Sequence, residues 1–140
     1  YKRMPRAKVD TTNVLMDIGY NLLFNMIDSL LLLHGFDTYK GIYHQLFFQR
    51  KSLSCDIMEP FRVLIDRAII KAYRLKQISD KDFKLIKGQY FLRMECSKKY
   101  YEIFFNALMD NKEIIFNYVK SFYFCMLNES TDYPFIKIKC

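Results

Sequence analysis

The longest apolar segment of the chain spans residues 14–33 and constrains the fold more than any other feature. Four polar side chains interrupt it: Asp17, Asn21, Asn25 and Asp28. Its apolar positions cover most of a helix circumference, which predicts a buried, central helix. Because no run of about eighteen residues is both apolar and uncharged, we expect no membrane span. Asp10 is placed to cap the start of this helix, and Gly35 to end it.

The remaining periodicity predicts an all-α fold, a single bundle of five or more helices. Further helices are expected at residues 52 to about 76, 79 to about 86, 97 to about 109 and 110 to about 127, with 89–93 extended. Residues 10–128 then form one helical domain between a basic arm at 1–9 and a tail at 129–140. Pro60 should bend the second helix, because proline removes a helical hydrogen bond.

The net charge of +7 favours an anionic partner such as nucleic acid. A coding sequence rich in A and T is an alternative explanation, because it enriches the chain in Lys, Ile, Phe, Tyr and Asn. The four cysteines include no C-x-x-C pair, which indicates neither a zinc ribbon nor a disulfide framework. Reduced thiols of a cytoplasmic protein are the default expectation.

One constellation points to chemistry. His44 precedes Asp56 and Glu59 in the chain and is separated from them by a short basic loop. The two acids are three residues apart and therefore share one side of a helix. Imidazole and carboxylate groups are common ligands of divalent metals. The bend expected at Pro60 falls beside the two acids. This pattern favours metal-assisted attack on a phosphodiester.

Each of these residues also has an ordinary structural interpretation. A single histidine is more often a surface or core residue than a ligand, and acids early in a helix favour its positive end. Arg62 can be the ion-pair partner of Glu59. Most aromatic residues fit core spacing, and Tyr20 and Tyr43 are the exceptions. A non-catalytic helical module that binds DNA or another protein is therefore the alternative function.

Basic residues flank the constellation and are expected to hold a DNA backbone through charge rather than sequence. Within the helical domain these are Arg50, Lys51 and Arg62, and in the arm they include Arg3 and Arg6.

Several short motifs then follow one another along the chain. They are D-x-x-N ending at Asn13, G-Y at 19–20, G-F-D at 35–37, G-I-Y-H ending at His44, and S-L-S-C-D-I-M-E-P-F-R at 52–62. In order and spacing they resemble the CRISPR-associated integrases, the Cas-one family. The resemblance covers residues 3 to about 127 and implies that family's helical C-terminal domain. Asn13, Tyr20 and Tyr43 are then expected near the active site.

The resemblance implies a nuclease and integrase that inserts spacer DNA into a CRISPR array by transesterification with Mg²⁺ or Mn²⁺. It assigns His44 and Glu59 as metal ligands, Asp56 as a supporting catalytic acid, and Arg62 as a residue near the DNA. It further implies double-stranded DNA as substrate, a homodimer in the intact protein, and a small Cas-two partner protein. A prokaryotic cytoplasmic enzyme, with no membrane association, is expected.

The chain also departs from the family pattern. The family has a third ligand, a glutamate upstream of the D-x-x-N motif, and an N-terminal β-rich domain. This chain begins after both, with Tyr1 rather than Met. We therefore expect a fragment that has two of three protein ligands and little activity alone, since Mg²⁺ takes few protein ligands.

Overall fold

A computed structural model of the protein describes residues 8–45 and 47–128, and the mostly helical fold is confirmed. The arm residues Arg3 and Arg6 and the tail at 129–140 lie outside the described residues. The elements, in chain order, are α1 (Thr11–Leu33), α2 (Ser52–Met58), a 3₁₀ turn (Glu59–Phe61), α3 (Arg62–Arg74), a 3₁₀ turn (Asp80–Asp82), β1 (Phe83–Ile86), β2 (Gln89–Leu92), α4 (Met94–Met109) and α5 (Lys112–Leu127).

The chain divides into two compact units, which are described separately. The hairpin unit contains residues 8–22 and 62–110. The loop unit contains residues 23–45, 47–61 and 111–128. The divisions fall in the middle of α1, at the start of α3 and between α4 and α5.

The core of the hairpin unit is formed by α1, α3 and α4. A Cβ at Gly19 would collide with Ile65 Cγ2 and lie 3.1 Å from the Phe104 ring, so the absence of a side chain permits this close packing. The Tyr100 ring lies 5.5 Å from that of Phe83, and its hydroxyl donates to Asp82 Oδ2 at 2.7 Å. Burial, followed by the hydrogen bond to Asp82, raises the pKa of Tyr100.

The prediction of a helix from residue 79 to about 86 is wrong. Only Asp80–Asp82 forms a helical turn, and residues 83–86 pair antiparallel with 89–92 in a two-stranded sheet. Lys87 and Gly88 join the strands with φ of 49° and 77°, the left-handed values of a two-residue hairpin turn. Burial of Phe83 against Tyr100 favours the strand over the helix that the pattern suggests.

The core of the loop unit is formed by the second half of α1 with α2 and α5. Its fully buried apolar residues are Leu23, Ile27, Leu31, Phe61, Ile115 and Val119. The C-terminus of α1 follows the prediction, because Gly35 adopts φ +80° and Phe36 donates its N–H to Leu31 O. By length and composition alone α1 is able to cross a membrane, but its buried stripe identifies a core helix.

Three predicted features of the helix ends can be compared with the structure. Asp10 caps α1 as expected, with its Oδ1 accepting the Asn13 N–H at 2.7 Å. The helix changes to a 3₁₀ turn at Glu59–Phe61, where Pro60 was expected to bend it. The helices expected to begin at residues 52 and 97 begin at Ser52 and at Met94, respectively.

Candidate active site

The Asp56 carboxylate, in α2, lies at the centre of the candidate site. Its Oδ2 accepts the backbone N–H groups of Ile42 at 2.7 Å and Tyr43 at 2.9 Å. Its Oδ1 accepts the N–H of His44 at 3.2 Å and also contacts His44 Nδ1. One side chain thus fixes the backbone amides of residues 42–44 and also the imidazole of His44.

The protonation state of Asp56 follows from these contacts. Burial by itself would raise its pKa, but the hydrogen bond from His44 and the three backbone N–H groups outweigh burial and lower the pKa below its ordinary value. The carboxylate is therefore ionised at neutral pH. Both of its oxygens are occupied by donors, which suits Asp56 to orient His44 rather than to bind an ion itself.

Gly41 allows the loop to approach α2 this closely. A Cβ at this position would lie 2.5 Å from His44 O, 2.7 Å from Ser52 Cβ and 2.9 Å from Asp56 Oδ2. Any larger residue would therefore force the loop away from Asp56. The sequence analysis included Gly41 only in the G-I-Y-H motif and did not predict this role, although the G-x-x-H spacing was a visible signal.

The contact with Asp56 orients the His44 ring. Because an ionised carboxylate only accepts hydrogen bonds, Nδ1 is the donor in this contact, and Nε2 is the ring nitrogen that is left for a ligand. Histidines that bind metals are commonly held by a carboxylate at the other ring nitrogen in this way. The His44 side chain is 26% exposed, so a ligand can reach the ring.

Glu59 lies in the 3₁₀ turn after α2 and is exposed. Within residues 8–45 and 47–128, no three His, Cys, Asp or Glu side chains are grouped so that they could hold a metal ion. Those residues therefore offer no complete three-ligand site. The assignment of His44 and Glu59 as metal ligands stays a prediction.

A second polar cluster supports the same loop, and sequence reasoning missed it. Asp28 of α1 accepts hydrogen bonds from Lys51 Nζ at 2.6 Å and from Ser54 Oγ at 2.8 Å. Burial would raise the Asp28 pKa, but the bonds from Lys51, Ser54 and Thr38 outweigh burial and lower it. An acid in the apolar stripe of α1 was the available signal. The predicted DNA contact of Lys51 is not tested, and its charge is already paired with Asp28.

Three of the other predicted site residues belong to the hairpin unit: Asn13, Tyr20 and Arg62. In the hairpin unit, the Tyr20 hydroxyl donates to Asp66 Oδ1 at 2.6 Å, and the Arg62 guanidinium lies 5.1 Å from the Tyr20 ring centroid. Asn13 is buried and donates to Asp10 Oδ2 at 3.1 Å.

In the loop unit, Tyr43 and Arg50 are exposed beside His44 and before α2, respectively. The functional roles predicted for Tyr43, Arg50, Tyr20, Arg62 and Asn13 stay predictions.

Comparison with known proteins gives consistent matches. The family model described as CRISPR associated protein Cas1 matches residues 1–106. A CRISPR-associated endonuclease Cas1 of Thermodesulfovibrio yellowstonii is 32% identical over 105 residues, which are 74% of this chain and 33% of that protein.

Solved structures of proteins that include Cas1 have a similar fold. A chain of a partial Cas6-RT-Cas1–Cas2 complex has a TM-score of 0.85 at 30% identity, covering 94% of this chain and 43% of its own length. The Cas1 protein of Thermotoga maritima shares the fold at 24% identity, with a TM-score of 0.85 over 97% of this chain and 45% of its own length. The chain spans about a third of the length of the curated relatives it matches.

Proposed function

Starting from the fact that this chain belongs to the CRISPR-associated Cas1 family, we propose that it is the catalytic helical part of a metal-dependent DNA endonuclease and integrase. In this proposal the intact protein inserts spacer DNA into a CRISPR array by transesterification. Several relatives are named CRISPR-associated endonucleases. Two of the motifs that carry the resemblance, G-I-Y-H at 41–44 and the segment 52–62, contain the residues that Asp56 contacts and Asp56 itself.

The observation that carries the proposal is the set of contacts made by Asp56. Its ionised carboxylate holds the amides of residues 42–44 and orients the His44 imidazole through Nδ1. Packing alone does not require a carboxylate hydrogen-bonded to Nδ1 of a histidine, whereas metal binding commonly does. This contact holds the ring in the tautomer that presents Nε2 to a ligand.

We assign Mg²⁺ or Mn²⁺ to His44 Nε2 and the Glu59 carboxylate, with Asp56 as the supporting acid. An imidazole nitrogen and a carboxylate oxygen form a donor pair suited to Mn²⁺, and carboxylate and water ligands suit Mg²⁺. When bound, the ion would polarise the scissile phosphate and lower the pKa of the attacking 3′-hydroxyl. The pair is incomplete, so the 140 residues alone should bind the ion weakly and show little activity.

The chain's own residues position the DNA in this proposal. Arg50, before α2, and Arg62, at the start of α3, contact the phosphate backbone, and the arm with Arg3 and Arg6 adds affinity that depends on salt. One matched structure is a complex that contains Cas1 and Cas2. We propose that the intact protein is a homodimer, that it has a Cas2 partner and that it acts on double-stranded DNA.

The alternative is a helical module that binds DNA or protein without chemistry. The net charge of +7 fits it, because a basic surface binds an anionic partner without any chemical step. The two functions differ in whether His44 is required for a chemical step.

Strand transfer separates the two functions. The intact protein that contains these residues is incubated with a labelled DNA duplex, a repeat-containing plasmid and Mn²⁺. His44→Ala and Glu59→Ala should abolish integration, whereas His34→Ala should retain it. His34 is a suitable control, because it is the other histidine of the loop unit and its ring packs at a tilt against that of Tyr123, with centroids 5.4 Å apart. Integration that survives both active-site substitutions would disprove the proposed mechanism and favour the module.

A further inference from the structure

A tyrosine, an aspartate and an arginine of the hairpin unit contact one another in series, and they are called the Tyr20 cluster here. The Tyr20 hydroxyl of α1 donates to Asp66 Oδ1 of α3 at 2.6 Å. The guanidinium carbon of Arg62, also in α3, lies over the Tyr20 ring at 5.1 Å from its centroid. All three residues are half-buried. One ring thus contacts an acid through its hydroxyl and a cation through its face.

The close packing of α1 on α3 brings the three side chains together. Gly19 precedes Tyr20, and a Cβ at this position would collide with Ile65 Cγ2 in α3. The absence of that Cβ lets the two helices approach at the level where Tyr20 meets Asp66. On α3 itself, Arg62 and Asp66 are four residues apart and therefore lie on the same side of the helix.

The hydrogen bond to Asp66 fixes the orientation of the Tyr20 ring. A hydroxyl that donates to a carboxylate forms a shorter and stronger hydrogen bond than one between two neutral groups. A tyrosine side chain has two χ angles, so a bond at its far end leaves the ring little freedom. The ring face that contacts Arg62 is therefore held in one position.

A fixed ring face can in turn hold the guanidinium of Arg62. Arginine has many rotamers, and selecting one of them when a phosphate binds costs entropy. An aromatic face attracts the cation and selects a position before the ligand arrives. A guanidinium has five N–H donors, so contact with the ring is compatible with a phosphate held by the same group. The cluster therefore has the properties of a device that prepares an arginine to bind an anion.

We propose that Tyr20 and Asp66 are positioning residues for Arg62 in DNA binding. Asp66 anchors the Tyr20 ring through its hydroxyl, and the ring holds the guanidinium where it binds a phosphate of the DNA backbone. This proposal rests on the proposed function, in which Arg62 contacts that backbone, and it adds two residues that touch neither the DNA nor the metal.

A double-mutant cycle tests the proposal without catalysis. The intact protein is titrated with a labelled blunt DNA duplex in EDTA, as the wild type, Tyr20→Leu, Arg62→Gln and the double variant. Tyr20→Leu removes the ring and keeps an apolar side chain. Tyr73→Leu is the matched control, because the Tyr73 hydroxyl also joins α3 to α1, through Thr12 Oγ1 at 2.9 Å. Urea denaturation of each variant reports its stability separately.

Tyr20→Leu should bind the duplex about 2- to 30-fold more weakly than the wild type, the range expected for loss of one cation–π contact. The dependence of log affinity on log salt should become shallower, towards that of Arg62→Gln, because a phosphate contact is weakened. In the protein that already has Arg62→Gln, Tyr20→Leu should cause no further loss. Tyr73→Leu should bind DNA like the wild type.

Asp66→Ala gives a result of opposite sign under the two interpretations of Asp66. Removal of an acid by itself should strengthen DNA binding, because it lessens the repulsion of phosphates. The proposal predicts weaker binding when Arg62 is present, because the Tyr20 ring loses its anchor. Unchanged or tighter binding in Asp66→Ala would overturn the role assigned to Asp66.

Two further results would overturn the proposal. One is that Tyr20→Leu weakens binding by the same factor with and without Arg62, which would show that Tyr20 acts only through the packing of α1 on α3. The other is that Tyr73→Leu weakens binding as much as Tyr20→Leu does.

These results are distinct from failure of the proposed function. If Arg62→Gln weakens binding but Tyr20→Leu does not, only the positioning proposal fails. If Tyr20 and Arg62 are coupled as expected but strand transfer does not require His44, only the catalytic proposal fails. Unchanged affinity in Arg62→Gln would disprove the DNA contact on which the positioning proposal rests.

Discussion

At the scale of single residues, one carboxylate organises the candidate site. Asp56 accepts from three backbone amides and the His44 ring, and no neutral side chain of similar size offers the same number of acceptor positions. The residue therefore has two separable roles. It stabilises the loop, and it sets the orientation and tautomer of His44.

Asp56→Asn should reduce both properties. The amide group replaces one acceptor oxygen with a donor, which opposes the backbone N–H groups and the protonated Nδ1. We expect the Mn²⁺ affinity of the intact protein to fall about 10- to 100-fold. The free energy of unfolding should fall by about 1–3 kcal/mol. Calorimetric titration and urea denaturation measure the two effects.

Asp37→Asn is the control for the Mn²⁺ titration, because the Asp37 side chain is 53% exposed and precedes His44 by seven residues. Unchanged Mn²⁺ affinity in Asp56→Asn would mean that Asp56 does not orient a metal ligand.

Gly41→Ala should damage the site by a steric route. The added methyl group would lie within 3 Å of His44 O, Ser52 Cβ and Asp56 Oδ2, and the first of these is backbone. We expect a loss of about 1–3 kcal/mol in unfolding free energy together with reduced strand transfer.

Gly35→Ala provides the comparison for Gly41→Ala. A Cβ at Gly35 meets no atom within 4 Å, but its φ of +80° is strained for alanine. It should cost about 1 kcal/mol and leave strand transfer intact. Equal loss of strand transfer in the two variants would show that destabilisation alone inactivates the protein.

At the scale of elements, Asp28 joins α1 to the start of α2. Its hydrogen bonds to Lys51 and Ser54 connect the apolar stripe of α1 to the two residues that flank the beginning of α2. Thr38, in the connection between the helices, also donates to Asp28 and accepts the Leu53 N–H at 3.0 Å. This cluster fixes the base of the segment that contains His44.

The Asp28 cluster should make stability depend on pH in the acid range. Because the folded-state pKa of Asp28 lies below its ordinary value of 3.8, its contribution is complete above that value. The contribution is lost as the pH falls from 3.8 through the lower folded-state pKa. We expect the difference in unfolding free energy between the wild type and Asp28→Asn to be constant near neutral pH and to shrink below about pH 4.

Urea denaturation at several pH values measures this difference. Asp37→Asn should show a small difference at every pH, because the Asp37–Lys40 pair is exposed and its groups are 3.9 Å apart. A wild-type advantage over Asp28→Asn that persists unchanged at low pH would contradict the assigned ion pair.

The elements differ in how well the sequence predicts them. The long helices α1 and α5 could be predicted from helical periodicity, and the end of α1 from Gly35, because local chemistry determines these features. The hairpin could not, because residues 79–86 lack a strong strand pattern. The burial of Phe83 against Tyr100, which is distant in sequence, favours the strand.

At the scale of the whole molecule, motif spacing predicts which residues belong to the site but not how they contact. The sequence places His44 twelve residues before Asp56. Asp56 also accepts hydrogen bonds from three backbone amides. These bonds depend on the path of the loop, which passes this close to α2 because Gly41 has no side chain. For the same reason, Asp28 was interpreted as an interruption of an apolar helix, although it holds the residue that precedes α2.

The net charge of +7 has two explanations with different physical consequences. If it reflects only a coding bias, the basic residues have no common ligand, and no single one should dominate DNA affinity. If Arg50 holds a phosphate as proposed, DNA should release one fewer counterion when it binds the protein without this side chain. The dependence of log affinity on log salt for a DNA duplex should then become shallower by about 0.9 in Arg50→Gln.

Lys87→Gln is the control for this measurement, because Lys87 is exposed in the turn between β1 and β2. Its slope should equal that of the wild type, so the difference between the two variants reports the position of the charge rather than its amount. Affinities of the intact protein measured from about 50 to 200 mM salt give the three slopes. Equal changes in both variants would indicate diffuse attraction and remove Arg50 from the proposed DNA contact.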